Sequence, residues 1–276
     1  MPSFQIVGSV QVRNEDIYVE RAVSNILDFC DKVIITDHHS TDQTFEICKR
    51  LAEKHSKVEL ISIETPSEAA NAIEPYFATN SWIFGVDGDE VYDPHGLTIM
   101  RKKLLNGEFS DSFCVFGNVL NVTWLDGSQR RARGHLAPPS RSMTKLYNFA
   151  MVESWTGCPE RLLGGDLRFK DGFTADLRRY LHEEIDWDHA YFRCLHMPFM
   201  KRSSRQKIRL SRTRLNPDEI NRINHEKNLV LRMFRTAELQ IQNFMGMDWK
   251  NQKYRRGSLV EKDATVFFQD QDIGGS

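Results

Sequence analysis

The run Ser81-Trp82-Ile83-Phe84-Gly85-Val86-Asp87-Gly88-Asp89-Glu90 packs three acids around one glycine directly behind a short apolar stretch. The apolar part predicts a strand buried on both faces, and Gly88 lets the backbone turn sharply at its end. Asp87 and Asp89 stand two apart in a run whose acids cannot all be buried without a counterion. Oxygen-only donors suit a hard cation, Mn2+ or Mg2+, and Mg2+ is usually shared with a substrate's phosphates. The run therefore points to a metal–diphosphate site at the carboxyl edge of a sheet. The plain alternative is a solvated acidic turn, so the flanking elements have to decide.

Working outward, Phe4 to Val12 and Lys32 to Thr36 read as buried strands, and Val58 to Ile63 as a third. Between them, Asp16 to Phe29 and Thr41 to Lys54 carry helical apolar spacing, with Ser40 or Thr41 as the cap of the second. Ser67 to Ala78 is expected to be a third helix ahead of the strand Trp82 to Val86. Strands alternating with helices predict a doubly wound, mostly parallel α/β sheet, whose ligands sit beyond the carboxyl ends of the strands. Arg13, Asp37 and Asp87 all fall at such ends, which favours a site over a bare acidic turn.

Further along, Pro94 to Leu105 reads as a helix, and Ser112 to Trp124 and Thr144 to Phe149 as antiparallel strands. The stretch 125–141 is polar, with Arg130, Arg131, Arg133 and Arg141, and reads as a loop near the site. Residues 216–245 read as a long amphipathic helix opened by Asn216-Pro217. From Gly257 the chain is expected to fray. The domain expectation is a catalytic unit over 1–200 (donor half 1–93, acceptor half 94–200), a basic helical extension over 201–256, and a tail over 257–276.

Bulk properties fit a catalytic body followed by a basic arm. The formal net charge is −1 over 276 residues, yet residues 201–256 hold 15 Lys and Arg against 5 Asp and Glu. Such an arm suits anionic headgroups, a diphosphate or another polyanion. Aromatics for base stacking are sparse there, which disfavours nucleic acid. The cysteines (Cys30, Cys48, Cys114, Cys158, Cys194) are scattered and form no Cys-x-x-Cys. That pattern implies reduced thiols and a cytoplasmic protein. No signal-peptide pattern opens the chain, and no window approaches the roughly 20 apolar residues of a membrane span. Membrane contact, if the arm makes it, is peripheral and on the inner face.

With these pieces in place, the first ninety residues resemble the family 2 glycosyltransferases. Gln11-Val12-Arg13-Asn14-Glu15 is similar to that family's Asn-Glu turn after the first strand. Val33 to Thr44 (VIITDHHSTDQT) is similar to its V-V-D-x-G-S-T-D-x-T block, with His39 where the glycine stands. Val86 to Glu90 is similar to its Asp-x-Asp block, and Asn71, behind Ala70, occupies the slot of an R-N or Q-N pair. The resemblance implies the A-type glycosyltransferase fold and a nucleoside-diphosphate-sugar donor, with UDP as nucleotide. It implies that Asp37 accepts a hydrogen bond from the donor base, and that Gln11 and Arg13 line the same pocket with Asn71 and Gly88. Asp87 is implied to contact ribose or share the metal, and Asp89 to hold Mn2+ or Mg2+ on the phosphates. Without the resemblance, Asp37 is simply an acid favoured at a helix N-terminus.

In the later half, Trp155-Thr156-Gly157-Cys158-Pro159-Glu160 is similar to the family's G-x-x-H-E segment, with Pro159 in the histidine's place. It implies Glu160 as the general base that takes the acceptor's hydroxyl proton, with Asp166, Glu183 and Glu184 in reserve. Leu195-His196-Met197-Pro198 fits a further metal-ligand slot, with His182 competing and a satisfied core histidine as the alternative. Lys201, Arg202 and Arg205 are candidates to grip the leaving diphosphate. In-line attack would invert the anomeric carbon. The acceptor is an unspecified glycan, lipid-linked or protein hydroxyl.

Four rival readings compete, one of them a non-enzymatic module that uses the basic arm to bind nucleic acid or an anionic surface. Asp37-His38-His39 resembles the Asp-His-His motif of manganese phosphoesterases, which expect their Asp-rich block earlier. A sugar-phosphate nucleotidyltransferase needs a Gly-rich loop that Ser9 to Arg13 lacks. A zinc site from Cys158, Cys194 and His196 lacks paired ligand spacing.

Overall fold

Three apolar runs form the centre of the main sheet as strands β1 (Gln5–Val12), β2 (Lys32–Asp37) and β4 (Ser81–Asp87), with β3 (Val58–Ser62) outside β2. The computed structural model describes residues 4–138, 140, 145–157, 162, 165–206, 231, 233–234 and 253–269. β1 lies between β2 and β4, parallel to both, and β2 is parallel to β3. Alternate side chains enter opposite cores. Ile6, Val10, Ile35 and Phe84 join helix-covered residues such as Val23, Leu51 and Met100, whereas Val7, Ile34 and Ile83 pack with Tyr147, Phe149 and Trp155. Covering both faces explains why these strands are continuously apolar rather than alternating.

The sheet continues with β9 (Lys145–Asn148) antiparallel to β4, then β6 (Cys114–Phe116) and β12 (Arg178–Tyr180), in the order β12-β6-β9-β4-β1-β2-β3. A second sheet holds β5 (Glu90–Tyr92), β7 (Asn118–Leu125), β8 (Arg131–Ala137), β13 (Arg193–His196) and β14 (Leu259–Asp263), in the order β14-β8-β7-β13-β5. β10 (Val152–Thr156) and β11 (Asp166–Phe169) form a separate ribbon. This is the predicted α/β architecture, doubly wound around a mostly parallel core.

Helices whose bounds the described residues fix are α1 (Val19–Ser24), α2 (Thr44–Lys54), α3 (Pro94–Leu105), α4 (Leu181–Glu184) and α5 (Thr265–Phe268). α3 matches its expected bounds: Pro94 opens it, and the Asp93 carboxylate accepts from the Gly96 amide at 3.0 Å. α2 starts three residues later than expected, because Asn14 and Asp37 use the Ser40–Thr41 turn for other bonds and Asp42 accepts from the Thr44 amide.

Several expectations are corrected. α1 is one short stretch of the predicted Asp16–Phe29 helix, and Ile17 is exposed. The predicted Ser67–Ala78 helix is instead two 3-10 turns, Pro66–Ala72 and Glu74–Tyr76, separated at Ile73, two residues before Pro75. The predicted Ser112–Trp124 strand breaks at Gly117 into β6 and β7, which belong to different sheets. The expected arginine-rich loop contains β8, and the expected fraying tail supplies β14 and α5. Most of the 216–245 stretch and of the basic extension lies outside the described residues. No helix among the described residues is long and apolar enough to cross a membrane.

Candidate active site

The parallel strands deliver the first donors to a single edge. Asp37 ends β2 and Asp87 ends β4, and register pairs Val12 with Asp37 and Gln11 with Asp87. Asp37 is 2% exposed; Oδ2 accepts from the Ser40 amide at 3.0 Å, while buried Oδ1 accepts no hydrogen bond among the described residues. A buried carboxylate oxygen left this way is costly unless a ligand donor fills it.

Behind this edge, Asn14 has a φ of 55°, and its side-chain oxygen accepts from the Thr41 amide at 2.6 Å. The Glu15 amide donates to Thr44 Oγ1 at 2.7 Å. The Asn-Glu turn is thus a brace that clips the β1 end to the β2–α2 turn, and it aims Glu15 inward. Gly88 is needed here: a Cβ would stand 2.8 Å from Val12 Cγ1 and 2.4 Å from Glu15 Oε2.

Asp89, 1% exposed, sits at the centre. Its carbonyl accepts from the Met197 amide at 3.0 Å, which ties the end of β13 to the acidic turn. His196 Nε2 faces Asp89 Oδ1 at 3.9 Å. On the other ring edge, Nδ1 lies 2.8 Å from Asn121 Oδ1, and the Asn121 amide group donates to the His135 carbonyl at 3.4 Å. That orientation makes Nδ1 the donor to Asn121 and turns Nε2 toward Asp89. The Tyr254 ring closes on His196 edge-on at 5.0 Å. On the other side, Arg202 Nη1 binds Asp89 Oδ2 directly and Glu15 Oε1 at 3.3 Å. Burial works against the Arg202 charge, but Asp89 and Glu15 outweigh it and raise its pKa.

Two further groups complete the electrostatics. Lys145 Nζ stands 3.5 Å from Asp87 Oδ1. Burial pushes Glu90 up to about 8, with Asp87 and Asp89 adding to the effect and Lys145 opposing it. Its Oε2 accepts from the Asp87 amide at 3.2 Å. Glu90 therefore braces the turn from beneath.

The donor set fits a divalent ion shared with a ligand. Among the described residues no three His, Cys, Asp or Glu side chains gather as a metal group. Asp89 and His196 supply two. Ion–ligand bonds of roughly 2.1 Å span their separation, a ring nitrogen beside a buried carboxylate oxygen is a donor pair a cation can join, and Asn121 orients the ring as an outer partner does.

The other predicted residues are spread more widely. Gln11 is half-buried at the edge. Arg13 is exposed, with Nη1 3.3 Å from His38 Nδ1. Asn71 and Lys201 are exposed. Asp166, Glu183 and Glu184 are exposed too, Glu184 paired with Arg179, and Glu160 lies outside the described residues. His39, at a φ of 47°, turns to Glu64 at 2.9 Å, so Asp37-His38-His39 does not converge as the phosphoesterase reading requires. Sequence reasoning missed Glu15 as an inward acid, Lys145, Asn121 and Tyr254. Only Glu15 carried a signal, since it sits within the quoted Asn-Glu block.

The family model described as glycosyl transferase family 2 matches residues 10–208. An uncharacterized glycosyltransferase of Rickettsia bellii (strain RML369-C) is 24% identical over 144 residues, which cover 52% of this chain and 46% of that protein. The chain thus spans about half the length of that relative. Among solved structures, S. aureus TarS (1–349) in complex with UDP overlaps 53% of this chain and 47% of its own, with a TM-score of 0.36 and 16% identity. Glucosyl-3-phosphoglycerate synthase from Mycobacterium tuberculosis, in complex with Mn2+, UDP and glucosyl-3-phosphoglycerate, overlaps 57% of this chain and 60% of its own, with a TM-score of 0.35 and 16% identity.

Proposed function

This chain belongs to glycosyl transferase family 2, and from that premise we propose that it moves a sugar from a nucleoside-diphosphate sugar, with UDP as nucleotide, to a hydroxyl acceptor with inversion. The observation that supports the reading is the meeting at one sheet edge of a buried Asp37 oxygen that accepts no hydrogen bond among the described residues and the Asp89–His196 pair.

In this reading Asp37 accepts from the donor base, and Asp87, held by Lys145, meets the ribose hydroxyls. Asp89 and His196 hold Mn2+ or Mg2+, which supplies positive charge for the departing diphosphate. Gln11, Arg13, Asn71 and Gly88 line the donor pocket. Arg202 and Lys201 offer cations to phosphate oxygens. Glu160 takes the acceptor's proton as that oxygen bonds the anomeric carbon from the face opposite the leaving group. The bond from that carbon to the phosphate oxygen breaks, and the electron pair leaves on the nucleoside diphosphate. The acceptor is a glycan, lipid-linked or protein hydroxyl, and the basic residues beyond 200 suit an anionic acceptor or the inner membrane face.

The direct test is thermal. UDP with Mn2+ should raise the melting temperature more than either alone, because binding to the native state stabilises it by mass action. A chain indifferent to all nucleoside diphosphates would overturn the reading.

A narrower prediction concerns the base. Asp37→Asn keeps an acceptor for the Ser40 amide but removes the charge that strengthens a bond to the base. UDP affinity should fall roughly 10- to 100-fold while Mn2+ affinity stays unchanged. Calorimetric titration reads both, and an unaltered UDP affinity would place the base elsewhere.

A further inference from the structure

We propose that Arg202 makes cation binding at Asp89 conditional on the diphosphate: its guanidinium neutralises Asp89 and Glu15 in the free protein and moves to phosphate oxygens when the donor enters. This rests on the donor and metal roles proposed above and adds their order and coupling.

The geometry places one cation against two nearly buried acids. Arg202 Nη1 bridges Asp89 and Glu15, whose side chains are 1% and 8% exposed, and the Arg202 side chain itself is 14% exposed. A second cation on Asp89 would stand beside this guanidinium on the same carboxylate, at a depth where charge repulsion is poorly screened. Asp89 with Arg202 in place is therefore a weak site for a lone divalent ion.

A diphosphate reverses the balance, because its oxygens accept both the ion and the guanidinium, which matches phosphate as well as it matches carboxylate. The backbone around Arg202 is fixed, so the exchange is a side-chain swing. The Arg202 carbonyl accepts from the Ile17 amide at 3.1 Å, Ser203 Oγ donates to Asp42 Oδ2 at 2.5 Å, and the Ser204 amide donates to Asp16 Oδ1 at 2.7 Å. Three anchors on the β1–α1 and β2–α2 turns keep the residue at the site in either state. Coupling of this kind is reciprocal: whatever UDP does for the ion, the ion does for UDP.

The test uses the full chain and two neutral variants, Arg202→Gln and Arg202→Met. The methionine keeps the apolar stem of the side chain, so it serves if the glutamine variant does not fold. Binding of Mn2+ alone is read from the loss of its free-ion paramagnetic resonance signal, and UDP affinity is read by calorimetry with and without Mn2+. In the wild type, Mn2+ should tighten UDP by about tenfold or more. In a neutral variant, Mn2+ alone should bind about tenfold tighter than in the wild type, and the Mn2+ effect on UDP should shrink to about threefold or less. Arg202→Lys, which restores a cation, should return Mn2+ alone to weak binding. Folded neutral variants that bind Mn2+ alone no more tightly than the wild type would overturn the proposal. That arm contains no nucleotide, so it is separate from the donor reading, which fails instead if UDP never binds the wild type.

Discussion

Asp89→Asn should lose turnover by about 10³-fold, equivalent to roughly 4 kcal/mol of transition-state stabilisation, with the fold intact. The substitution keeps the size of a side chain that is 1% exposed, so packing around it is unchanged. What disappears is the negative charge facing His196 across 3.9 Å and balancing Arg202. In the proposed reading a divalent ion would then keep His196 alone, and the departing diphosphate would lose its counter-charge. UDP should still find Asp37, so its affinity without metal should stay within a few-fold while the Mn2+ enhancement vanishes. Turnover above a tenth of the wild type, in a variant shown by circular dichroism to be folded, would sink the metal role of Asp89.

The part of the site that depends on Asp89 and Asp37 was readable because it is local. β1, β2 and β4 are buried on both faces and read as apolar runs, and each acid stands at or just beyond a strand's last residue. The partners that complete the site arrive from far along the chain. Arg202 lies 113 residues from Asp89, and Lys145 lies 58 from Asp87. Asn121 acts through a contact 75 residues distant. Spacing in sequence carries no information about such meetings. His196 and Arg202 were nominated only by resemblance to a family, and Lys145, Asn121 and Tyr254 not at all.

The misread fold elements share a physical reason. β8 alternates exposed Arg131 and Arg133 with buried Ala132 and Gly134, so its inward face is too small to show as hydrophobic. Gly134 has to be small: a Cβ there would lie 2.2 Å from the Asn121 carbonyl oxygen, next to the irregular pairing between Val122 and Trp124. β14 is an edge strand with an exposed, polar pattern, and only its pairing with β8 makes it a strand. The 3-10 turns before β4 fooled a helical reading because Pro66 and Pro75 each suit a first turn, while the second ends what the first begins.

Deleting residues 258–276, nearly all of the tail for which the sequence predicts fraying, should prevent stable folding. β14 contributes five register pairs to the edge of the second sheet. Phe267 is fully buried, stacks on Trp187 at 5.9 Å, and with it encloses the Arg193 guanidinium, 5.6 and 5.5 Å from the two rings. Asn25, buried at the C-terminal end of α1, donates to the carbonyls of both Tyr92 and Phe267 at 2.8 Å and would lose one of them. Truncating a buried Phe alone costs roughly 3–5 kcal/mol, and an unsatisfied buried donor adds roughly 1–3 kcal/mol. Against a total stability of about 5–15 kcal/mol for a typical domain, their sum with the lost strand removes most of the margin. Phe267→Ala grades the effect: its melting temperature should fall on the order of 10 °C, with UDP and Mn2+ affinities retained in the folded fraction, because Phe267 packs on Trp187 and Arg193. The deletion variant should show no cooperative melt. A cooperative transition near the wild-type temperature in that variant would mean that β14 and α5 ride on a body that is stable without them.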